Sequence, residues 1–307
     1  MVAAKNYTPK DPQVVNLMNL FESFGSEALC RTYLEELRWP EGLRCPRCEA
    51  SKGISRVKGR GYECESCGYK YSVLAGTIFH DTKLPLTKWF AAAYLMTESR
   101  KGISANQMKR TLGISYKTAW YLCHRIRAAM GSVDREPLTG IVEADETYIG
   151  GHTSKRGNRG PQADKAIVAG AMQRGGPVRL QVVSQTDRKT LHGFLHKVVA
   201  DDAEAIFTDQ HSSYVGIGDE NTRHESVNHS KDEWVRGKVH TNTAESVWSL
   251  FQRSIVGSYH HINAYHLPAY LGEMEWRFNN RDNPFLFRDT MIALVNSSNL
   301  PYQELVG

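Results

Sequence analysis

The spacing of apolar residues predicts a helical front part of the chain. Residues 13–38 carry apolar side chains at helical intervals, interrupted at Gly25, and Ser26 is placed to cap a second helix. Residues 86–130 show the same periodicity, with one clear break at the sequence LGIS. The polar stretch GSVDREPLTG then separates this helical region from the back part of the chain, and we expect the main domain boundary there.

The back part begins with GIVEADETYIGG (140–151), which has the chemistry of a buried strand but contains three carboxylates. A carboxylate beside a protein core is costly unless something offsets its desolvation. The pattern then predicts two strands joined by a turn, a helix, a strand and a helix, at residues 166–172, 178–184, 190–200, 205–209 and 243–256. This order predicts an α/β fold around a mixed sheet.

Four of the six cysteines form two close pairs, CPRC and CESC, separated by fifteen residues. This spacing is typical of a structural zinc site, in which four thiolates hold one tetrahedral ion and leave no open position for chemistry. Unrelated pairs or disulfides are the alternative, and the spacing favours zinc. The predicted ligands are Cys45, Cys48, Cys64 and Cys67, while Cys30 and Cys123 are predicted to be small core residues.

Residues 103–130 predict a helix-turn-helix, with Ser104 and Ser115 as N-caps on either side of the LGIS turn. In such motifs the first turn of the second helix contacts base edges. The predicted base contacts are Tyr116, Lys117 and Thr118, and the predicted phosphate contacts are Lys109, Arg110, Arg125 and Arg127. An ordinary helical hairpin is the alternative. Charge favours DNA binding, because residues 1–139 carry +8 and residues 140–307 carry −3.

The acids of the opening strand divide between its two faces. Glu143 and Asp145 share one face, while Glu146 shares the other with Val142. Asp209 ends the strand 205–209, and Glu245 lies near the start of a helix, with 35 residues between the two acids. Two strand-borne aspartates and a helix-borne glutamate can hold two Mg²⁺ or Mn²⁺ ions, which together stabilise an in-line phosphoryl displacement.

Each acid also has a structural alternative. Asp209 can form an Asx-turn, and Glu245 can complete a capping box with Asn242 as N-cap. Glu143 and Glu146 are predicted to be structural, with Glu146 facing away from Asp145. The metal hypothesis is favoured by the three acids Asp145, Asp209 and Glu245 together, in this order of elements.

The chain resembles the DDE transposases of bacterial insertion sequences, in the subgroup with an N-terminal zinc ribbon and an RNase H-like catalytic core. The resemblance extends along nearly the whole chain. It is carried by the acid triad with its 35-residue second gap and by the stretches LRWPEGLRCPRC, GTIFHDTKLPLTKWF, VEADETYIGG, HTNTAESVWSLFQRSIVGSYHHI and EWRFNNR.

The resemblance implies a transposase that binds terminal inverted repeats, cleaves DNA ends with Mg²⁺ and joins them to a target. It implies assembly of a homodimer or larger complex on double-stranded DNA. Further candidate DNA contacts are Lys155, Arg156, Arg159, His240 and Asn242. Such families often have a lysine seven residues after the catalytic glutamate, and here that position is Gln252, followed by Arg253.

These expectations divide the chain into an N-terminal helical segment (1–40), a zinc ribbon (41–82), a helix-turn-helix (83–133) and an RNase H-like catalytic domain (138–307). The absence of a signal region and of a long apolar run predicts a cytoplasmic protein. The resemblance implies a bacterial protein associated with the nucleoid. Three alternatives remain: a zinc-ribbon DNA-binding regulator, a catalytically decayed transposase, and a nuclease that cuts without joining.

Overall fold

The computed structural model describes residues 15–59, 61–133, 135–150, 165–227 and 235–306. Helices predominate in the front part, and the cysteine pairs lie in and around a small three-stranded sheet. The elements in this part are α1 (Leu17–Phe24), α2 (Glu27–Arg38), β1 (Ile54–Val57), β2 (Gly61–Cys64), β3 (Lys70–Tyr71), α3 (Leu86–Glu98), α4 (Ala105–Leu112) and α5 (Tyr116–Gly131).

Strands and helices alternate in the back part, as the apolar pattern predicts. Its elements are β4 (Ile141–Ile149), β5 (Ala166–Gln173), β6 (Val178–Val183), α6 (Arg188–Val198), β7 (Ala205–Asp209), β8 (Arg223–Val227), α7 (Asn242–Ser254), α8 (Leu267–Asn279), α9 (Leu286–Asn296) and α10 (Tyr302–Val306). A single π-helical turn, Ile255–Tyr259, follows α7 directly.

The chain divides into two compact units, and its C-terminal end belongs to the first of them. This unit comprises Met1–Val133 and Asp282–Gly307, and the second comprises Asp134–Arg281. In the first unit α9 packs against α2, α3 and α5, where the Phe287 ring lies 5.9 Å from that of Phe24. The predicted catalytic segment 138–307 therefore extends past the contact boundary, because the apolar face of α9 is buried among front-part aromatics.

The second unit is built on a five-stranded mixed sheet with the strand order β6-β5-β4-β7-β8. Strands β4, β5 and β6 are antiparallel neighbours, whereas β4 with β7 and β7 with β8 are parallel. Helix α6 covers one face, against Val142 and Ala144. Helices α7 and α8 cover the other, where Trp248 packs near Val168. The strand that carries the three acids is thus the central strand of the sheet.

Most predicted elements lie within two residues of their expected bounds. Strand β8 was not predicted, because its sequence RHESV is polar and its burial comes from pairing with β7 rather than from an apolar face. The predicted helical run 86–130 also contains a second break, at Ser99–Ser104, which separates α3 from α4.

Candidate active site

Asp145 and Asp209 reach adjacent positions on two parallel strands. Glu143 on β4 is in register with Phe207 on β7. Asp145 lies two residues after Glu143, and Asp209 lies two residues after Phe207, so each aspartate is on the same strand face as the residue it follows. Hydrogen-bonded strands lie about 4.8 Å apart. The two residues therefore lie side by side where β7 ends, and Asp209 Oδ1 also accepts from the His211 amide at 3.0 Å, which forms the predicted Asx-turn.

The charge of Asp145 is destabilised by its surroundings. Burial raises the pKa of Asp145 to about 7, and the neighbouring carboxylates of Glu146 and Asp209 add to the shift. Two donors oppose it: the Trp248 indole N–H donates to Oδ2 at 3.0 Å, and the Glu146 amide donates to Oδ1 at 2.9 Å. A divalent cation would remove the repulsion that remains, so the carboxylates fit such an ion.

Glu146 lies on the opposite strand face, as alternation predicts, but its carboxylate is not remote from the aspartates. Its Oε2 accepts a 2.6 Å hydrogen bond from the buried Tyr214 hydroxyl. Burial raises the pKa of Glu146, the Tyr214 bond lowers it, and the charge of Asp209 raises it further. Glu146 thus adds negative potential around the aspartates, which the expected structural role did not include.

Glu245 lies in the first turn of α7, one turn before Trp248. Its side chain is exposed, and its carboxylate makes no hydrogen bond or ion pair with the described residues. The capping box expected as its structural alternative is not formed, because the N-cap is Thr241 and no side chain of the helix itself caps it. The Glu245 carboxylate is therefore free to act as a ligand.

The three acids do not form a closed ligand cluster. Across the described ranges, the cysteines are the one group of at least three potential ligands whose atoms all lie within 4.8 Å of one another. Asp145 and Asp209 are brought together by the sheet, and α7 places Glu245 on the same side of the sheet. Carboxylate oxygens are ligands that Mg²⁺ and Mn²⁺ prefer.

Glu143 is fully buried and joins β4 to the start of α7. Its oxygens accept hydrogen bonds from the amides of Thr243 (2.7 Å) and Ala244 (3.1 Å) and from the Thr243 hydroxyl (2.9 Å). The Arg174 Nε donates to Oε1 at 2.7 Å, and His240 Nδ1 lies 3.3 Å from the same atom. The predicted structural role of Glu143 is thus a link between the strand of Asp145 and the helix of Glu245.

The four predicted zinc ligands converge in the first unit. The Sγ atoms of Cys45 and Cys67 lie 3.7 Å apart, and those of Cys48 and Cys64 lie 3.6 Å apart. A tetrahedral ion with Zn–S bonds of about 2.3 Å requires S···S separations of about 3.8 Å. Cys30 and Cys123 are buried elsewhere in the unit, as expected. The cysteine geometry therefore fits one structural zinc ion.

Two family models match the chain and together cover more than half of it. One is the ISXO2-like transposase domain, over residues 137–279, and the other is the transposase zinc-ribbon domain, over residues 25–70. The chain thus contains an ISXO2-like transposase domain that follows a transposase zinc-ribbon domain. The resemblance inferred from the sequence is confirmed.

A curated relative and two solved structures are similar to this transposase. A protein of the transposable element ISH50 from Halobacterium salinarum is 29% identical over 253 residues, covering 76% of this chain and 84% of its own. A simian T-cell lymphotropic virus intasome chain has a TM-score of 0.32, with 12% identity, 69% coverage of this chain and 74% of its own. A chain of the pre-cleavage Mos1 transpososome has a TM-score of 0.26 and 10% identity, and the match covers 66% of this chain and 77% of the Mos1 chain.

The predicted α/β fold with a mixed sheet is confirmed, and a zinc ribbon lies near the N-terminus. In the described part of the chain, the helices are too short or too polar to cross a membrane.

Helices α4 and α5 pack together in the order predicted for a helix-turn-helix. Ser104 accepts from the Gln107 amide and Ser115 from the Thr118 amide, so both predicted N-caps are present. Gly113 ends α4 with φ +60°, which an L side chain rarely adopts. The candidate contacts Tyr116, Lys117, Lys109 and Arg110 are exposed, and Thr118 is half-buried.

Arg125 is an exception among the predicted phosphate contacts. It is 4% exposed, stacks on the Trp89 and Tyr121 rings and donates to the His80 carbonyl at 2.9 Å. Arg127 is 2% exposed. The structure removes both from the DNA-facing candidates, because helical periodicity alone does not separate a basic face from a buried one.

The remaining candidate DNA contacts have different fates. Lys155, Arg156 and Arg159 lie outside the described residues. His240 is half-buried and contacts the Glu143 network, whereas Asn242 and Gln252 are exposed on α7. Arg253 is exposed too, and its Nη1 donates to Ser249 Oγ at 2.6 Å.

Proposed function

We propose that this transposase cleaves the ends of its element and joins them to target DNA with Asp145, Asp209 and Glu245 as catalytic residues. The observation that carries the proposal is the placement of Asp145 and Asp209 on neighbouring parallel strands, each two residues after the paired Glu143 and Phe207. Helix α7, which bears Glu245, covers the same face of the sheet. The three carboxylates would hold two Mg²⁺ or Mn²⁺ ions. When bound, such ions activate a nucleophile and stabilise the attacking and leaving oxygens of an in-line displacement.

The protein residues themselves position and balance charge. Trp248 orients Asp145 through its indole N–H. The Tyr214 hydroxyl donates to Glu146 and holds that carboxylate, whose negative charge adds to the attraction for cations. Phosphoryl transfer depends mainly on positioning and electrostatic stabilisation, so no protein nucleophile is needed. One site can serve end cleavage by water and then attack by the released 3′-OH.

Recognition of the element's ends would come from the first unit. The zinc ribbon and the α4–α5 pair would recognise the terminal inverted repeats, with Tyr116, Lys117 and Thr118 at base edges and Lys109 and Arg110 at phosphates. On α7, Asn242, Gln252 and Arg253 are exposed next to Glu245 and would contact DNA near the scissile bond. Both ends of an element must be processed together, so we propose a homodimer or larger assembly on DNA.

The test is Asp209→Asn, with an oligonucleotide that carries the element's end and with Mg²⁺. We expect cleavage and joining to fall by at least a thousandfold while end binding is retained. Asp202→Asn is the matched control, since Asp202 is an exposed acid of the same unit and makes the same charge change. Persistent cleavage by the Asp209 variant would refute the metal site.

The same experiment separates the other functions. A DNA-binding regulator or a decayed transposase binds the ends but neither cuts nor joins them in its wild-type form. The glutamine at position 252 is a reason to test for the decayed form, because an amide adds no charge to a phosphate contact. Cleavage without a joined product would identify a nuclease.

A further inference from the structure

Glu143 is a buried carboxylate with every strong acceptor position in use. It has no exposed surface, and four hydrogen bonds reach its two oxygens, from Arg174 Nε, the Thr243 amide, the Thr243 hydroxyl and the Ala244 amide. A carboxylate held this way has no room for a metal ion. Glu143 is therefore not a fourth metal ligand, despite sharing the strand face of Asp145.

The bonds made by Glu143 cap α7 from outside the helix. The first amides of a helix lack partners within it, and they favour a negative charge. Thr241, the N-cap of α7, makes no side-chain cap, and the amides of Thr243 and Ala244 donate instead to Glu143, a hundred residues away. The helix start is thus tied to the central strand by a carboxylate.

Arg174 extends this tie to the segment that precedes the helix. Its guanidinium donates to the carbonyl oxygens of Lys238 (2.7 Å) and His240 (2.9 Å) and lies 4.9 Å from the Phe207 ring centroid. The Arg174 amide donates to the Ile141 carbonyl at 3.0 Å. Arg174 therefore balances the charge of Glu143 and fixes the chain entering α7 to β4 and β7.

We propose that Glu143 is a positioning residue that sets the place of Glu245 relative to Asp145. Glu143 lies two residues before Asp145 on one face of β4, and its partner Ala244 directly precedes Glu245. One side chain thus joins the two elements that carry the proposed triad. The inference rests on the proposed function for its catalytic consequence, whereas the tie between strand and helix can be measured without activity.

The first test is amide hydrogen exchange in the full-length, zinc-loaded protein with and without Glu143→Gln. Glutamine has the same size but a single acceptor oxygen, so it cannot accept from all four donors. We expect the Thr243 and Ala244 amides to exchange at least tenfold faster, with the core amides of β5 unchanged. Unchanged exchange at these two amides, or an equal rise throughout the unit, would overturn the proposal.

The second readout is single-turnover end cleavage over a range of Mg²⁺ concentrations. A displaced Glu245 should lower the maximal rate at least tenfold and raise the half-saturating Mg²⁺ concentration, while end binding without metal stays unchanged. If Glu143→Gln only reduced the amount of folded protein, the maximal rate would fall while the half-saturating Mg²⁺ concentration stayed the same. A lower rate with an unchanged half-saturating concentration would contradict the proposal. If the exchange result holds but the wild-type protein does not cleave, the proposed function fails while the tie stands.

Glu225→Gln is the matched control. It makes the same change of charge at a glutamate that pairs with Arg223 and Arg236 and lies on β8 rather than against α7. It should leave amide exchange in α7 and the Mg²⁺ midpoint unchanged. Thr243→Val is the milder variant if Glu143→Gln does not fold. It removes the 2.9 Å hydroxyl bond alone, and it should speed Ala244 exchange in the same direction by a smaller factor. No change there would count against the proposal.

Discussion

At the scale of single residues, the site depends on how Asp145 is held. Its strand partner on β5 is Gly170, and the Trp248 ring lies over that glycine, with its indole N–H reaching Asp145. A Cβ at position 170 would lie 2.7 Å from the ring. The glycine therefore makes room for the side chain that orients the aspartate.

Gly170→Ala tests this close approach. We expect a loss of about 1–3 kcal/mol in the free energy of unfolding, because the core must be overpacked. End cleavage should fall as Trp248 moves. Gly193→Ala is the control, because Gly193 is exposed on α6 and a Cβ there would meet no atom within 4 Å. Alanine at this helical position should raise the free energy of unfolding by up to about 1 kcal/mol. Equal stability of both variants in urea titrations would contradict the packing.

Trp248→Phe tests the hydrogen bond alone. Phenylalanine keeps an aromatic ring in the pocket but cannot donate to Asp145. A hydrogen bond to a charged group contributes about 1.5 kcal/mol or more, so we expect roughly a tenfold lower single-turnover cleavage rate. End binding in the absence of metal should not change. An unaltered rate would mean that Trp248 does not orient the aspartate.

At the scale of elements, the apolar pattern predicted β4, β7 and α7, and with them the positions of the three acids in the fold. The pattern could not predict what Glu143 does, because its partners lie a hundred residues later in the chain and only folding brings them near. Arg125 was placed on the wrong face for the same reason, since α5 is buried on several sides by α3 and α9. The polar strand β8 forms because it pairs with β7, and backbone pairing does not require alternating apolar and polar residues that a sequence could reveal.

Ser115→Asp tests the DNA-facing role of the start of α5. Aspartate caps a helix as well as serine, so the melting temperature should stay within a few degrees. If the first turn of α5 faces DNA, the added charge should weaken end binding at least tenfold at moderate salt. Ser26→Asp, which caps α2, should alter neither property. Undiminished binding by Ser115→Asp would move the DNA interface elsewhere.

At the scale of the whole molecule, the two units have separate requirements. The first unit needs its cysteine cluster, because the small three-stranded sheet β1–β3 has few other fully buried residues among those described. The second is supported by apolar clusters on both faces of its sheet. The return of α9 to the first unit was not foreseen, since an amphipathic helix does not indicate in its sequence which surface will cover it.

Zinc content provides the test of this division. We expect one zinc ion per chain in the purified protein, lost in Cys67→Ser and retained in Cys30→Ser, whose sulfur lies outside the cluster and contacts the Phe24 carbonyl. Loss of zinc should abolish end binding and leave amide exchange in β4–β7 slow. Zinc retained by Cys67→Ser at the wild-type level would refute the four-thiolate site.

Asp145, Asp209 and Glu245 are central to the proposed activity because together they would hold the divalent cations. The most direct measurement replaces Mg²⁺ with Fe²⁺ in the zinc-loaded protein and maps where peroxide and ascorbate cut the backbone. The proposed site predicts cuts near residues 145, 209 and 245 that Mg²⁺ suppresses and that Asp209→Asn removes. Cuts that avoid these three segments, or that persist unchanged in excess Mg²⁺ and in the variant, would contradict it.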